Sequence, residues 1–383
     1  MRTIVVLTTG RQDWGIVHST AAAIQAHPDL RLQLVVGGMH LSPRHGLTVD
    51  DVRADGFQPD AELDWLSDAG DRDPPATEQA AAALASVGAW LQTARPDALL
   101  LAGDRLETMA AAVAATLERV PVVHLHGGEQ TAGAFDDALR HAITKLSHLH
   151  LVSHEEHAQR VIRLGEDPTT VHVVGAPGLD AAMRPDLPTR EMLADDLGLD
   201  LRPALVLVTV HPETASPDPV AAARAVVAAM DAQPATYVIS LPNSDPGADE
   251  VRALLVEAAQ APGRVAVEAL GERRYWGLLR LADAIVGNSS SALIEAPVVG
   301  LPAVDVGDRQ RGRRHGPNVR HASADADAVR QALAEALHPE LRAAALAGRP
   351  PLADGRAGAR IADILAAWRP PEALRKAPIT VPD

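Results

Sequence analysis

Residues 97–126 read DALLLAGDRLETMAAAVAATLERVPVVHLH. Two short apolar runs, DALLLAGD and VPVVHLH, flank a longer segment, RLETMAAAVAATLER, made mostly of strong helix formers. The expected order is strand, helix, strand. The apolar runs are continuous rather than alternating, as strands are when both of their faces are covered. Crossover helices on a parallel sheet provide that cover, and right-handed crossovers make the sheet doubly wound.

The same alternation continues in both directions. RTIVVLT, LRLQLVVGG and LHLVSH read as further strands of the first half, with TEQAAAALASVGAWLQTAR as a helix. The pattern restarts at PALVLVTVHPE and continues through ATYVISLPN, RVAVEAL, ADAIVGNSS and LPAVDVG, with helices such as DPVAAARAVVAAMDAQ between strands. At 383 residues and 47% hydrophobic the chain is too long for one core and fits two. We therefore expect an α/β protein of two Rossmann-like doubly wound domains with a cleft between them. Their expected spans are residues 1–178 and 186–362. The joint lies in the Gly- and Pro-rich GAPGLDAAMRPDLPT, and a Pro-rich tail, 363–383, is expected to pack back on the first domain.

Composition excludes several classes. A net charge of -15, nine aromatic residues and no basic run argue against a nucleic-acid partner. The absence of cysteine excludes disulfides, a thiol nucleophile and thiolate zinc sites. No stretch approaches the roughly 18 apolar residues of a membrane span, and MRTIVVLTTG lacks the pattern of a signal peptide, so we expect a cytoplasmic protein with no membrane partner. Among the 35 basic residues only Lys145 and Lys376 are lysine.

Open α/β sheets bind ligands beyond the carboxyl ends of their strands. The residues there are TGRQDWG, GDRLE, HLHGGE, VHPE, GNSSS and GDRQRGRR, a concentration of charge, hydroxyl and glycine. In GNSSSALIEAP, Gly287 permits a tight turn, and Ser289, Ser290 and Ser291 can cap a helix whose N-terminus favours phosphate. Arg309, Arg311, Arg313 and Arg314 add guanidinium forks suited to phosphate oxygens, and Glu295, expected inside the helix, would be within reach of a ribose if a nucleotide were bound.

The stretch HGGEQTAGAFDDALRH, 126–141, gathers three carboxylates, an arginine and two histidines. On a helix beginning at the paired aspartates, Asp137, His141, Thr144 and His148 form one polar stripe, and Leu139, Ile143 and Leu146 form the buried face. Asp136 would pair with Arg140 at i+4. His124 and His126 share a strand face, but two ligands without a third do not make a metal site, and none is expected.

Taken in order, RQDWG, GMHLS, GDRLE, HLHGGE, DDALRHAITKLSH, VHPE, GNSSSALIE and GDRQRGR resemble the UDP-N-acetylglucosamine 2-epimerases, closest to the hydrolysing branch of sialic-acid pathways. The resemblance spans Arg11 to Val319. It implies the GT-B-like fold, a UDP-GlcNAc substrate, a homo-oligomer (dimer or tetramer) and no cofactor. It also implies elimination of UDP to a 2-acetamidoglucal, followed by addition of water to give ManNAc or re-addition of UDP to give UDP-ManNAc; the hydrolysing outcome is favoured. The non-hydrolysing epimerase of antibiotic or polysaccharide amino-sugar biosynthesis is the alternative. A GT-B glycosyltransferase and a non-catalytic nucleotide-sugar-binding protein are further readings.

Carried over residue by residue, the resemblance makes Asp104, Glu129 and Asp136 or Asp137 the acid–base and charge-stabilising set, with Asp137 preferred. His211 meets the diphosphate or acts near C1. Arg11, Asp13, Arg105, Ser290, Glu295 and Arg309 bind the nucleotide, with Arg309 on the leaving diphosphate. Three departures stand out. Gly15 and Ile16 replace a serine and a lysine of many relatives, Ala292 replaces a glycine, and His126 occupies a position where a catalytic glutamate is common. The base is therefore assigned to Glu129, with His126 as the alternative.

Overall fold

The structure, a computed structural model, describes residues 1–66, 74–130, 136–202, 204–214, 216–242, 247–268, 270–371, 374 and 376. It divides into two compact units, one formed by Met1–Asp180 with Asp354–Asp383 and the other by Ala181–Ala353.

The first unit contains β1 (Arg2–Thr8), β2 (Leu30–Gly37), β3 (Ala61–Leu63), β4 (Ala98–Ala102), β5 (Val122–Leu125), β6 (Leu149–Val152) and β7 (Val171–Val173). They form one parallel sheet in the order β3-β2-β1-β4-β5-β6-β7. Every residue of β4 and β5 is buried, which is why these strands read as unbroken apolar runs. Alternate residues feed two cores. Ile4, Val6 and Leu100 pack with Trp14, Val17 and Ile24 of the helix Arg11–Ala26. Val5, Leu7, Leu99 and Leu101 pack on the other face with Val87 and Leu91 of Ala76–Ala94 and Ala111 and Ala115 of Leu106–Leu117.

The second unit contains β8 (Leu205–Thr209), β9 (Thr236–Ser240), β10 (Arg264–Val267), β11 (Ala284–Gly287), β12 (Ala303–Val306) and β13 (Val319–Ala322), ordered β10-β9-β8-β11-β12-β13 and again all parallel. Both sheets are thus doubly wound, as expected. Strand order reverses between β1 and β4 in the first sheet and between β8 and β11 in the second, and these two switch points are where such sheets bind ligands. At the second, Gly287 has φ +147°, and a Cβ there would lie 1.9 Å from the Thr209 carbonyl oxygen, so only glycine allows this approach.

The sequence placed residues up to 362 in the second domain. The chain from Asp354 instead packs with the first unit, because Ile361 and Leu365 of the helix Ala357–Ala367 enter the core beside Val17 and Ile24. Buried Asp180 accepts from the backbone N–H groups of Ala357 (3.1 Å) and Gly358 (2.8 Å) and fixes the start of that helix. In the tail, the Lys376 ammonium donates to the carbonyls of Thr144 (3.3 Å) and Lys145 (2.9 Å). Residues 377–383 lie outside the described residues.

Candidate functional site

In the first unit, the loop after β4 begins with Gly103 in the left-handed region, which turns Asp104 and Arg105 over the strand end. The loop after β5 carries His126, Gly127, Gly128 and Glu129. Gly128, at φ +75°, crosses so close to the helix Glu155–Arg163 that a Cβ would lie 2.4 Å from the His157 carbonyl oxygen. The helix Asp136–Leu146 brings Arg140 into the middle of these groups.

Arg140 is the hub. Its guanidinium pairs with Asp104, donates to the His126 carbonyl at 2.9 Å and lies 3.7 Å from Glu129 Oε2. The i, i+4 pair expected between Asp136 and Arg140 is therefore replaced by longer-range pairing: Arg140 is buried on the core side of its helix and faces the strand-end loops. Asp136 is near enough to Arg105 to favour its charge. Asp137 lies 3.5 Å from His141. The polar stripe is less exposed than its composition implied, since Thr144 and His148 are buried.

Glu129 Oε1 lies 2.6 Å from His126 Nδ1 and accepts from the Ser153 hydroxyl at 2.8 Å; Ser153 in turn contacts His157 Nδ1 at 2.9 Å. Burial works to raise the Glu129 carboxyl, but His126, the hydrogen bonds from His126 and Ser153, and Arg140 outweigh it and hold the group down at about 2. His124 does not form a metal pair with His126. Its Nε2 lies 2.8 Å from the Gly103 carbonyl and its Nδ1 3.2 Å from Thr144 Oγ1, and burial pushes its imidazole down to about 3, so it stays neutral. Among the described residues no three His, Cys, Asp or Glu side chains are grouped to hold a metal ion.

The nucleotide-binding candidates of this unit divide. Arg105 bonds Glu107 at 3.2 Å; Glu107 and Asp13 raise its pKa against the lowering effect of burial. Asp13 is buried, its carboxylate accepts from the Thr9 backbone and hydroxyl, and burial raises its pKa. Arg11 stands apart, largely exposed and 3.9 Å from Asp51.

In the second unit, His211 and Asn288 follow the two switch-point strands, β8 and β11, and are joined by two hydrogen bonds. The Asn288 carbonyl also accepts from Arg309 (3.2 Å) and Gln310 (2.9 Å), which brings the basic loop to the serine loop. The helix expected after the serines is only one turn, Ser291–Ile294, so an anion there would meet loop N–H groups and hydroxyls more than a helix dipole. Ser289 Oγ accepts weakly from Ser291 N–H, and the Ser291 hydroxyl bonds Tyr275. Glu295 lies at the C-cap of that turn rather than inside a helix. Burial raises its pKa, and its Oε2 is buried without a hydrogen-bond partner among the described residues, which leaves an acceptor for a hydroxyl-bearing ligand.

The sequence passed over Arg140, Ser153, Glu107, Tyr275 and Asn288 as site residues. Arg140 and Asn288 stand inside stretches singled out for their neighbours, so the position was visible while the partners were not.

Two doubly wound units, each with polar loops at its switch point, make a GT-B-like fold. The chain belongs to the UDP-N-acetylglucosamine 2-epimerase family, whose sequence profile it matches over residues 22–366. It is 34% identical to the UDP-N,N'-diacetylbacillosamine 2-epimerase (hydrolyzing) of Legionella pneumophila subsp. pneumophila, over 88% of this chain and 89% of that one. It is 31% identical to the UDP-N-acetylglucosamine 2-epimerase of Neisseria meningitidis serogroup B, over 87% and 88%. Its fold is that of the crystal structure of UDP-GlcNAc 2-epimerase from Neisseria meningitidis bound to UDP-GlcNAc, with a TM-score of 0.78 and 18% identity over 96% of this chain and 100% of that one.

Proposed function

We propose that this enzyme is a hydrolysing 2-epimerase that converts a UDP-activated 2-acetamido sugar, UDP-GlcNAc in the simplest case, into the free 2-epimer and UDP. The observation that carries the reading is the convergence of Asp104, Arg140, His126 and Glu129 at one set of strand ends. C2 of the sugar has no carbonyl beside it, so its proton can leave only as the C1–O bond breaks. The C2–H electron pair becomes the C1=C2 bond, and the C1–O pair departs on the diphosphate. Water then adds at C1 while C2 gains a proton on the opposite face.

In this reading a base and an acid come from the carboxylate and histidine cluster, and Asp104 and Asp137 steady the positive charge that develops at C1. Arg309, Ser290 and His211 receive the diphosphate, and Glu295 receives the ribose. No redox cofactor is required by this chemistry. A homo-oligomer, dimer or tetramer, and a cytoplasmic location accompany the proposal; among the described residues no helix is long and apolar enough to cross a membrane.

The name of the Legionella relative supports a second substrate, a UDP-activated N,N'-diacetyl sugar. Incubation with each UDP-sugar in turn, first with no acceptor and then with one added, tests the proposal. The hydrolysing reading expects UDP and the free 2-epimer by NMR, and the faster substrate identifies the substituent at C4. UDP-linked epimer alone would establish the non-hydrolysing alternative. Transfer to an added acceptor, or binding without turnover, would contradict both.

A further inference from the structure

Glu129 is poorly suited to taking a proton. Oε1 already faces two groups, the His126 ring and the Ser153 hydroxyl, and Oε2 faces Arg140 at 3.7 Å. A carboxylate so well supplied with donors and positive charge is stabilised as the anion, and its affinity for a proton falls accordingly. The same geometry fixes the tautomer of His126. An ionised carboxylate can only accept, so the ring nitrogen 2.6 Å away, Nδ1, carries the hydrogen. In the neutral ring the lone pair then sits on Nε2, which has no hydrogen-bond partner among the described residues.

The ring is also held in place by its backbone. His126 has φ +66°, in the left-handed region that non-glycine residues seldom occupy. Its N–H donates to the Leu151 carbonyl at 3.0 Å, and its carbonyl accepts from Arg140 at 2.9 Å. Strain of this kind persists where the surroundings over-determine it, which is common at sites of chemistry.

Resting on the proposed function above, we propose that His126 Nε2, and not Glu129, takes the C2 proton, with Glu129 as the positioning carboxylate that fixes the tautomer and steadies the imidazolium. The C2–H bond breaks as the Nε2–H bond forms, its electron pair makes the C1=C2 bond, and UDP leaves with the C1–O pair. The charged and titratable groups around this loop are Glu129, bonded to the ring; Arg140, which holds the His126 carbonyl and pairs with Asp104; His124 of β5, close enough to the ring to interact electrostatically; and His157 and Arg160 of the helix Glu155–Arg163. His157 acts on Glu129 through Ser153, and Arg160 holds the Gly128 carbonyl.

The test compares wild type with His126→Gln, His126→Gly and Glu129→Gln, reading kcat, KM and UDP affinity by calorimetry. Glycine suits the left-handed backbone, so His126→Gly removes the ring without disturbing the loop and opens a space for added imidazole. Both His126 variants should lose roughly 10²- to 10⁴-fold in kcat, the range of an acid–base group. UDP affinity should stay within about two-fold, and imidazole should rescue His126→Gly. Glu129→Gln should be milder, with its loss confined to kcat and with KM and UDP affinity within about two-fold of wild type; a merely structural role would disturb binding as well.

His126→Gln turning over within about ten-fold of wild type, or a larger loss of kcat in Glu129→Gln than in His126→Gln, would overturn the assignment. A wild-type enzyme silent on every UDP-sugar would overturn the function itself, and the dyad with it.

Discussion

His211 and Asn288 exchange two hydrogen bonds: the His211 N–H donates to Asn288 Oδ1 at 2.8 Å, and Asn288 Nδ2 donates back to the His211 carbonyl at 2.8 Å. The asparagine side chain behaves here as a piece of added strand, continuing the β8–β11 pairing one step past Gly287, and it is fully buried. Asn288→Ala would leave a buried N–H and carbonyl unmet, at a cost of about 2 to 3 kcal/mol. Urea unfolding should show that loss. UDP affinity should fall as well, because without the side-chain bridge the loop backbone whose Asn288 carbonyl anchors Arg309 and Gln310 is less firmly held.

Arg309 is exposed and spends one N–H on that carbonyl, which leaves the rest of the guanidinium for a diphosphate. Arg309→Ala should weaken UDP binding by about 1.5 to 3 kcal/mol, the range of a charge-assisted bond. Calorimetry with unchanged affinity would remove Arg309 from the site. Global stability should be nearly unaltered, which separates this variant from Asn288→Ala.

Both lysines of the chain meet one buried carboxylate. Glu166 accepts from Lys145 at 2.6 Å and pairs with Lys376, and His150 Nε2 lies 3.0 Å away. Burial would raise this carboxyl, but the bonds from His150, Lys145 and Lys376 bring it down to about 2. Its folded value lies below the ordinary value of about 4.3. The stability it contributes is therefore full above about pH 5 and is lost as the pH falls through the folded value. Glu166→Gln should cost about 3 kcal/mol at pH 7. The difference in Tm between wild type and variant should hold down to about pH 5 and then shrink toward pH 3. A gap constant across that range would mean that packing, not charge, is what the substitution removes.

What the sequence revealed follows from what each pattern measures. The strands legible in the sequence carry apolar runs, and all but the edge strand β10 are central, such as β4 and β5; the doubly wound order follows from them. The three missed, β3, β7 and β13, are all edge strands of three or four residues, and they carry Glu62, His172, Arg320 and His321 where a central strand would be apolar. The site shows the same division. Asp104, His126 and Glu129 were legible because strand ends are legible. Arg140 was given the wrong partner because helical spacing reports which residues share a face and not what lies opposite. The His211–Asn288 bridge joins residues 77 apart, a relation that no local pattern contains. The domain limit at 362 failed for a similar reason: the helix Ala357–Ala367 is amphipathic in either unit, and only its docking on Arg11–Ala26 decides.

In the proposed reaction the enzyme removes the proton at C2 and expels UDP before water adds. Turnover of its UDP-sugar in deuterium oxide, with the product followed by proton NMR, tests this most directly. The expected product is a 2-epimerised free sugar carrying deuterium at C2, with its H2 signal absent from the first turnovers. An epimerised product that retains the original hydrogen at C2 would contradict it.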